Sequence, residues 1–170
     1  PGSLGSADER PPAVTRFLAD ADAVKKIHNT RRIDDIDPDR YSVVFLPGGH
    51  GTMWDFPESQ ALATVIGRAY DNGAVIGAVC HGPAGLVAAR RADGRPLVEG
   101  LRVNSFTNAE EAAVGLTEIV PFLLESRLRE LGGRFESAPN FQPKAVRDGR
   151  LITGQNPASA PLVVEEMLRA

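Results

Sequence analysis

The sequence has a single cysteine, Cys80, among its 170 residues. One thiol cannot form a disulfide within the chain, which excludes the class of small secreted proteins held together by disulfides. This scarcity predicts a cytoplasmic protein, because a reducing compartment is where chains without disulfides are typically found. An isolated cysteine is either a small buried hydrophobe or a reactive thiol, and its surroundings must decide between the two.

Long apolar runs and an excess of one charge are also absent. The sequence has no run near the roughly 20 apolar residues that a membrane-spanning helix needs. Its 19 basic and 22 acidic residues give a net charge of −3, so the strong basic balance typical of nucleic-acid binding is missing. We therefore expect neither a membrane nor a nucleic acid among its partners.

Short apolar runs alternate with segments of helical periodicity, after a loop predicted over 1–12. Apolar strands that alternate with helices imply an α/β fold with a mostly parallel sheet, covered on both faces. No repeat or linker interrupts the pattern, which predicts one domain over 1–170. Strands are predicted at 42–46, 73–79, 100–106, 134–138, 143–149 and 150–154, and helices at 13–29, 57–72, 81–91, 108–116, 120–133 and 157–170.

Cys80 lies at the end of the second predicted strand, in the stretch GAVIGAVCHGPAGLV. Gly77 and Gly82 bracket it in a G-x-x-C-x-G pattern, which is close to the nucleophile elbow where a strand turns sharply into a helix. At a helix N-terminus the dipole would favour thiolate over thiol. A buried cysteine that only fills space is the alternative, but the elbow pattern favours a reactive thiol.

Few residues could serve as the base for this thiol, since the only histidines are His28, His50 and His81. Hydrolases with such an elbow take their base from a histidine well downstream of the nucleophile. No histidine follows position 81, so a triad in that chain order is excluded. The base is then His81, His50 or a carboxylate. Consecutive side chains tend to diverge, which counts against His81.

The stretch LPGGHGTMWDFP follows the first predicted strand, and its glycines fall at the same end of the sheet as the cysteine. In a parallel sheet the active crevice lies beyond the carboxyl ends of the strands. The N–H groups of Gly48 and Gly49 could form an oxyanion hole there, and His50, Met53 and Trp54 could wall a small pocket. A glycine turn without any chemistry is the alternative.

Glu111 has two possible roles in the stretch SFTNAEEAAV. Asn108 followed three residues later by Glu111 matches a capping box, in which the glutamate does no more than begin a helix. The position just after the third predicted strand also brings Glu111 to the crevice. There it could orient His81 and stabilise an imidazolium, as the third member of a triad does. The pattern leaves both roles open.

Four stretches together resemble the PfpI superfamily, the class I glutamine-amidotransferase-like proteins: VVFLPGGHGTMWDFP, AVIGAVCHGPAGLV, VNSFTNAEEAAVGL and DGRLITGQNPASA. The resemblance runs from about Phe17 to the C-terminus. It is most specific for the branch of heat-shock chaperones and glutathione-independent glyoxalases (glyoxalase III), with the parkinsonism-associated deglycase as a more distant relative. It implies a flavodoxin-like (Rossmann-like) three-layer sandwich and a homodimer.

The same resemblance implies a triad of Cys80, His81 and Glu111, with the N–H groups of Gly48, Gly49 and His81 around the oxyanion. The thiolate would add to the aldehyde of methylglyoxal or glyoxal, a base would move a proton between the two carbons, and hydrolysis would release D-lactate or glycolate. This chemistry uses no cofactor, metal or glutathione. The alternatives are a holdase chaperone or redox sensor that oxidises its cysteine and, less favoured, a PfpI-like peptidase.

One departure from the family concerns the N-terminal part of the fold. Family members begin with a strand–helix–strand unit that carries a glutamate, which hydrogen-bonds the cysteine and acts as general acid and base. The sequence contains no such unit, so we expect an N-terminally incomplete chain whose sheet lacks its first strand. The role of that glutamate is not carried over to any residue of this sequence.

Overall fold

The computed structural model describes residues 10–170, so residues 1–9, most of the predicted N-terminal loop, lie outside the described residues. The chain divides into two compact units between Asp35 and Ile36. One domain over 1–170 therefore stays a prediction. Within residues 10–170, no helix is both long enough and apolar enough to cross a membrane.

The N-terminal unit contains two short helices, α1 (Pro12–Ala19) and α2 (Ala21–His28), where the periodicity predicts one helix over 13–29. The interruption is Asp20, whose backbone is extended, with φ −86° and ψ 100°. Its carboxylate accepts hydrogen bonds of 3.0 Å from the N–H groups of the second and third residues of α2. Such an N-cap begins a new helix, so the prediction of a single helix is wrong.

Six strands in the second unit form two sheets. The first sheet has the order β1-β2-β6-β5, with β1, β2 and β6 parallel and β5 an antiparallel hairpin partner of β6, whereas β3 and β4 pair separately. In chain order the strands are β1 (Val43–Leu46), β2 (Val75–Val79), β3 (Arg102–Val103), β4 (Arg134–Phe135), β5 (Ala145–Asp148) and β6 (Leu151–Gly154).

The described part of this unit also contains five α-helices and three 3₁₀ segments. The 3₁₀ segments are Pro38–Arg40, Gly82–Leu86 and Pro157–Ser159, of which the last begins the predicted terminal helix. The α-helices are α3 (Thr52–Asp55), α4 (Gln60–Asp71), α5 (Asn108–Ala113), α6 (Leu124–Glu130) and α7 (Ala160–Leu168).

Helices α4 and α7 cover opposite faces of the four-stranded sheet. On one face, Gly77 of β2 lies directly against the side chain of Met167 in α7. Successive strand residues face opposite sides, so Ala78 and its register partner Leu46 face away from α7. On that face Leu46 and Ile66 of α4 both lie against Gly85. The predicted α/β sandwich of three layers with a mostly parallel sheet is confirmed.

Strand β1 is less buried than its apolar sequence predicts. Only its last residue, Leu46, is buried, whereas β2 is buried at all five positions. Among the described residues β1 is the outer strand of the sheet, and Val43 and Phe45 are 46% and 39% exposed. A strand with a neighbour on one side only keeps part of its surface open to solvent.

The third predicted strand, over 100–106, is shorter than predicted and pairs with β4 outside the four-stranded sheet. Its regular part is the two-residue strand β3. Beyond β3, the Asn104 N–H donates to the hydroxyl of Thr153 at 2.8 Å, which replaces a backbone acceptor and interrupts the ladder. The Phe106 N–H then donates to the carbonyl of Cys80 at 2.9 Å. The segment therefore still reaches the carboxyl end of β2.

The helix predicted over 81–91 is instead the 3₁₀ segment Gly82–Leu86, whose residues are all buried. Gly82 lies so close to β1 that a Cβ atom there would collide with the carbonyl oxygen of Leu46. Pro83 lies in the first turn, where its missing N–H does not interrupt a helix. The close packing of Gly82 against β1 is the constraint on this segment.

We expect Gly82→Ala to lower the free energy of unfolding by about 1–3 kcal/mol, because the added methyl group overlaps a backbone atom that cannot move independently. Urea unfolding followed by the fluorescence of Trp54, the only tryptophan, measures this change. Gly51→Ala is the matched control, since its Cβ would meet nothing within 4 Å and its φ of −53° is helical. Equal stability of the two variants would contradict the close contact at Gly82.

Candidate active site

The glycine turn after β1 and the cysteine after β2 meet at one end of the sheet, as predicted. A Cβ atom built on Gly48 would lie 2.7 Å from both the Cβ of Cys80 and the carbonyl oxygen of Val79. Real Cβ atoms do not come that close, so only glycine lets the two strand ends approach in this way. The turn also places the N–H of Gly49 against the sulfur of Cys80.

Cys80 occupies a strained elbow between β2 and the 3₁₀ segment. Its φ is +61°, a left-handed conformation that costs a residue with a side chain of order 1 kcal/mol or more. Two hydrogen bonds hold the backbone in place: the Cys80 N–H donates to Gly154 at 2.8 Å, and the Cys80 carbonyl accepts from Phe106 at 2.9 Å. The predicted nucleophile elbow is therefore present in the backbone geometry.

The elbow also brings the side chains of Cys80 and His81 together. The Sγ atom of Cys80 lies 3.3 Å from Nδ1 of His81. The expectation that consecutive side chains diverge applies to extended backbone. It is wrong here, because the positive φ of Cys80 changes the direction of the chain and brings the two side chains together. Both residues are buried, with 7% of Cys80 and 0% of His81 exposed.

Glu111 joins two imidazoles. Its Oε2 accepts from Nε2–H of His81 at 2.8 Å, and its Oε1 accepts from Nε2–H of His50 at 2.9 Å. With both Nε2 atoms protonated, Nδ1 of His81 carries a lone pair, which accepts the S–H of Cys80. The two rings lie against each other with centroids 4.0 Å apart. His50, Glu111, His81 and Cys80 therefore form one continuous chain of hydrogen bonds.

Glu111 has no part in capping, so the capping box predicted between Asn108 and Glu111 is wrong. Helix α5 begins one residue earlier than that pattern requires, and its box pairs Thr107 with Glu110. This shift leaves the Glu111 carboxylate, which is only 4% exposed, for the two histidines. The T-x-x-E spacing of Thr107 and Glu110 is the signal that sequence reasoning missed.

Glu110 is a fully buried carboxylate that ties the wall of the site together. Burial alone would raise its pKa, but hydrogen bonds from Thr107, Asn156, Gln155 and Phe141 hold the pKa below its ordinary value. The shortest of them is 2.7 Å, from the N–H of Phe141. Phe141 has a φ of +62°, so this bond holds a strained residue in position.

Burial raises the pKa of the Cys80 thiol to about 11, and the N–H groups of His81 and Gly49 offset only part of this effect. Burial also lowers the pKa of His81, against the hydrogen bond to Glu111, which raises it. Both shifts favour a neutral thiol beside a neutral imidazole. Both shifts oppose the predicted thiolate, and the five-residue 3₁₀ segment has little dipole to set against burial.

A cavity of about 510 Å³ opens beside the thiol. Met53 and Trp54, both predicted to wall it, are not among its lining residues. Helix α3 turns Trp54 outward, 46% exposed, and buries Met53. Sequence reasoning missed the aromatic and aliphatic walls, which come from distant segments without a motif. The lining residues are Gly48, Gly49, His50, Val79, Cys80, Phe106, Val114, Phe141, Pro157 and Ala160.

His50, His81 and Glu111 are also the side chains of the described region that could hold a metal ion, with one ligand atom from each within 4.8 Å of the others. Two imidazoles and a carboxylate suit several transition metals. The hydrogen bonds of 2.8 and 2.9 Å already satisfy both carboxylate oxygens. These bonds account for the arrangement of the three side chains.

A mostly parallel sheet between two helical layers, with a strained cysteine after an inner strand, defines a class of α/β proteins that carry a nucleophile elbow. Residues 20–170 match the DJ-1/PfpI family, and the chain belongs to that family. It is similar to the glutathione-independent glyoxalase HSP31 of Saccharomyces cerevisiae, with 34% identity over 149 residues that cover 83% of this chain and 62% of the yeast protein.

Two solved structures are also similar. Glyoxalase III of Candida albicans has a TM-score of 0.89 and 28% identity, over 97% of this chain and 72% of that one. Rapid encystment protein of Francisella tularensis has a TM-score of 0.90 and 35% identity, over 99% of this chain and 74% of that one. The chain spans between 58% and 64% of the length of the first curated relatives that it matches.

We expect the rate of Cys80 alkylation by iodoacetamide to rise about tenfold per pH unit from pH 7 to 10, since only the thiolate reacts. A raised pKa means that the proton is held more tightly, so at each pH the thiolate fraction is smaller than in N-acetylcysteine, the reference thiol. Intact-mass measurement follows the reaction at the single cysteine. A plateau below pH 8 would contradict the neutral pair and indicate a resting thiolate–imidazolium pair.

Proposed function

We propose that this chain acts as a cysteine-dependent, glutathione-independent glyoxalase, which converts methylglyoxal to D-lactate and glyoxal to glycolate. The observation that carries the proposal is the hydrogen-bonded chain from Cys80 through His81 to Glu111 beside a small cavity. The names of the yeast relative and of the Candida structure, both glyoxalases, support it.

The first step is addition of the thiol to the aldehyde. Nδ1 of His81, 3.3 Å from the sulfur, takes the thiol proton as the sulfur bonds to the aldehyde carbon. Glu111 stabilises the resulting imidazolium through its bond to Nε2. The N–H groups of Gly49 and His81, which face the sulfur, lie where they can stabilise the oxyanion. Solvent supplies the proton that converts this oxygen into the hydroxyl of a hemithioacetal, and release of the product as a carboxylate returns that proton to solvent.

The remaining steps transfer a hydrogen within the substrate and release the product. Movement of the hydrogen from the first carbon to the second converts the hemithioacetal into a 2-hydroxy thioester of Cys80. Water then adds to the thioester carbonyl, and the carbon–sulfur bond breaks. The 2-hydroxy acid leaves, and the sulfur regains its proton from His81. The sum is one dicarbonyl plus one water to one hydroxy acid.

The cavity favours a small and uncharged substrate. Its lining is apolar apart from His50, Cys80 and the glycine backbone, and it contains no arginine or lysine in the described part of the chain. A substrate carboxylate or phosphate would find no cation to pair with. Methylglyoxal and glyoxal carry no charge, and their carbonyl oxygens need only hydrogen-bond donors.

The alternative functions fit the site less well. Oxidation sensors use exposed cysteines of low pKa, whereas Cys80 is buried and has a pKa of about 11. A peptidase needs an extended cleft, and a cavity of about 510 Å³ is closer to a small-molecule pocket. A holdase activity would not depend on this cavity, so loss of the thiol distinguishes it from turnover. The homodimer stays a prediction from the family resemblance, and the cytoplasmic location stays a prediction from the single cysteine.

Cys80→Ala is expected to reduce glutathione-free consumption of methylglyoxal by at least about 10³-fold, because the nucleophile is lost. Disappearance of methylglyoxal and enzymatic measurement of D-lactate follow the reaction. A chaperone assay on the same samples serves as the control: a holdase would still suppress aggregation without the thiol. Turnover that survives the substitution would rule out the covalent route.

Exchanging each of the adjacent glutamates for glutamine separates catalysis from stability. We expect Glu111→Gln to lower kcat by about 10²–10⁴-fold with little loss of stability, because an imidazole can change tautomer to meet the new amide. We expect Glu110→Gln to cost about 2–4 kcal/mol of unfolding free energy, because the amide places donors against donors. Urea unfolding and methylglyoxal turnover are measured for both. The reverse pattern would contradict the two roles.

A further inference from the structure

The proposed reaction depends on two N–H groups that belong to different segments of the chain, and this inference rests on that proposed function. The Gly49 N–H belongs to the turn after β1, and the His81 N–H belongs to the elbow after β2. Both face the sulfur of Cys80. Two donors stabilise an oxyanion only when they lie where its charge develops. A contact that joins the two segments would therefore control the geometry of the oxyanion site.

Thr52, the first residue of α3, makes such a contact through its hydroxyl group. Its Oγ1 atom lies 2.8 Å from the carbonyl oxygen of Gly49 and 3.0 Å from the carbonyl oxygen of His81. A hydroxyl group has one hydrogen to donate, so the two carbonyls share it. Thr52 is not among the residues that line the cavity. It therefore acts through Gly49 and His81 and not on the substrate.

Neither carbonyl needs the hydroxyl of Thr52 as its donor. The Gly49 carbonyl also accepts the backbone N–H of Thr52 at 3.1 Å, and the His81 carbonyl also accepts the N–H of Ala84 at 3.0 Å. Removal of the hydroxyl would leave each carbonyl with one donor, so the cost of a buried unpaired group does not arise. What the hydroxyl adds is a bridge between the turn and the elbow.

The two bridged residues differ in how firmly their surroundings hold them. His81 is fully buried, and its ring is bonded to Glu111. Gly49 has a φ of +117°, and a Cβ atom built on it would meet nothing within 4 Å. A residue without a side chain has the widest choice of backbone conformations. The bridge therefore ties the freer donor to the fixed one.

We propose that Thr52 is a positioning residue of the oxyanion site. Its hydroxyl group ties the carbonyl of Gly49 to the carbonyl of His81 and so keeps the N–H groups of these two residues where the oxyanion forms. Thr52 touches no reacting atom, and no proton moves through its hydroxyl. A displacement of about 1 Å in such a site can cost about 10²-fold in rate.

The experiment compares Thr52→Val and Thr52→Ser with the wild type. Valine has the shape of threonine, but it places a methyl group where the hydroxyl bridged the two carbonyls. We expect kcat for methylglyoxal to fall about 10–100-fold in Thr52→Val with KM within about threefold, because the donors act mainly in the transition state. Thr52→Ser retains the hydroxyl and should retain kcat. Thr64→Val is the matched control, since it removes an exposed hydroxyl that bonds a carbonyl within α4.

Alkylation of Cys80 by iodoacetamide distinguishes positioning from a merely structural effect. The N–H groups of Gly49 and His81 lower the pKa of the thiol, so their displacement should reduce the thiolate fraction. We expect Thr52→Val to react about threefold more slowly than the wild type at pH 9, because a tenfold loss of thiolate per pKa unit is partly offset by a more nucleophilic sulfur. A loosened structure would instead expose the thiol and raise the rate.

Three results would overturn the inference. They are a kcat for Thr52→Val within about threefold of the wild type, where a lost donor costs far more, alkylation at the wild-type rate or faster, and failure of Thr52→Ser to retain kcat. If urea unfolding shows that Thr52→Val is not folded, Thr52→Ala replaces it with the same expected results, since alanine places no methyl group against the carbonyls. A wild-type protein without turnover would overturn the proposed function, and the alkylation rates would then decide the role of Thr52.

Discussion

The carboxylate of Glu111 accepts one hydrogen bond on each oxygen, from His81 at 2.8 Å and from His50 at 2.9 Å. Each bond sets the orientation and the tautomer of one ring, and for His81 it directs the remaining lone pair at the sulfur of Cys80. A carboxylate so deeply buried is tolerated only while both partners are present. The contact between the thiol and its neighbouring imidazole, and one wall of the cavity, thus depend on a single buried anion.

Two neighbouring glutamates bind different sets of partners in this region. Successive residues of a helix point about 100° apart, so Glu110 and Glu111 at the start of α5 reach different neighbours. Glu110 joins the helix to Phe141 and to the amides of Gln155 and Asn156, which fixes the far wall of the cavity. Glu111 joins the two histidines. The helix start therefore coordinates the shape of the cavity with its chemistry.

The sequence was sufficient for the layers of the fold and for the meeting of Gly48 with Cys80, because apolar strands and glycine breaks are local patterns. It was insufficient where contacts between distant segments determine the backbone conformation or the pKa of a residue. The φ of Cys80 depends on its bonds to Gly154 and Phe106, and its pKa depends on burial. The role of Glu111 depended on whether α5 begins at Asn108 or one residue later, a difference that residue spacing does not resolve.

Because the backbone at Cys80 is left-handed, the residue that suits this backbone best differs from the residue that the proposed chemistry needs. Glycine adopts a φ near the observed +61° without the cost that a side chain brings. Glycine would also remove the buried thiol and with it all covalent chemistry. A substitution that relieves the backbone strain at this position therefore also removes the thiol on which the proposed chemistry depends.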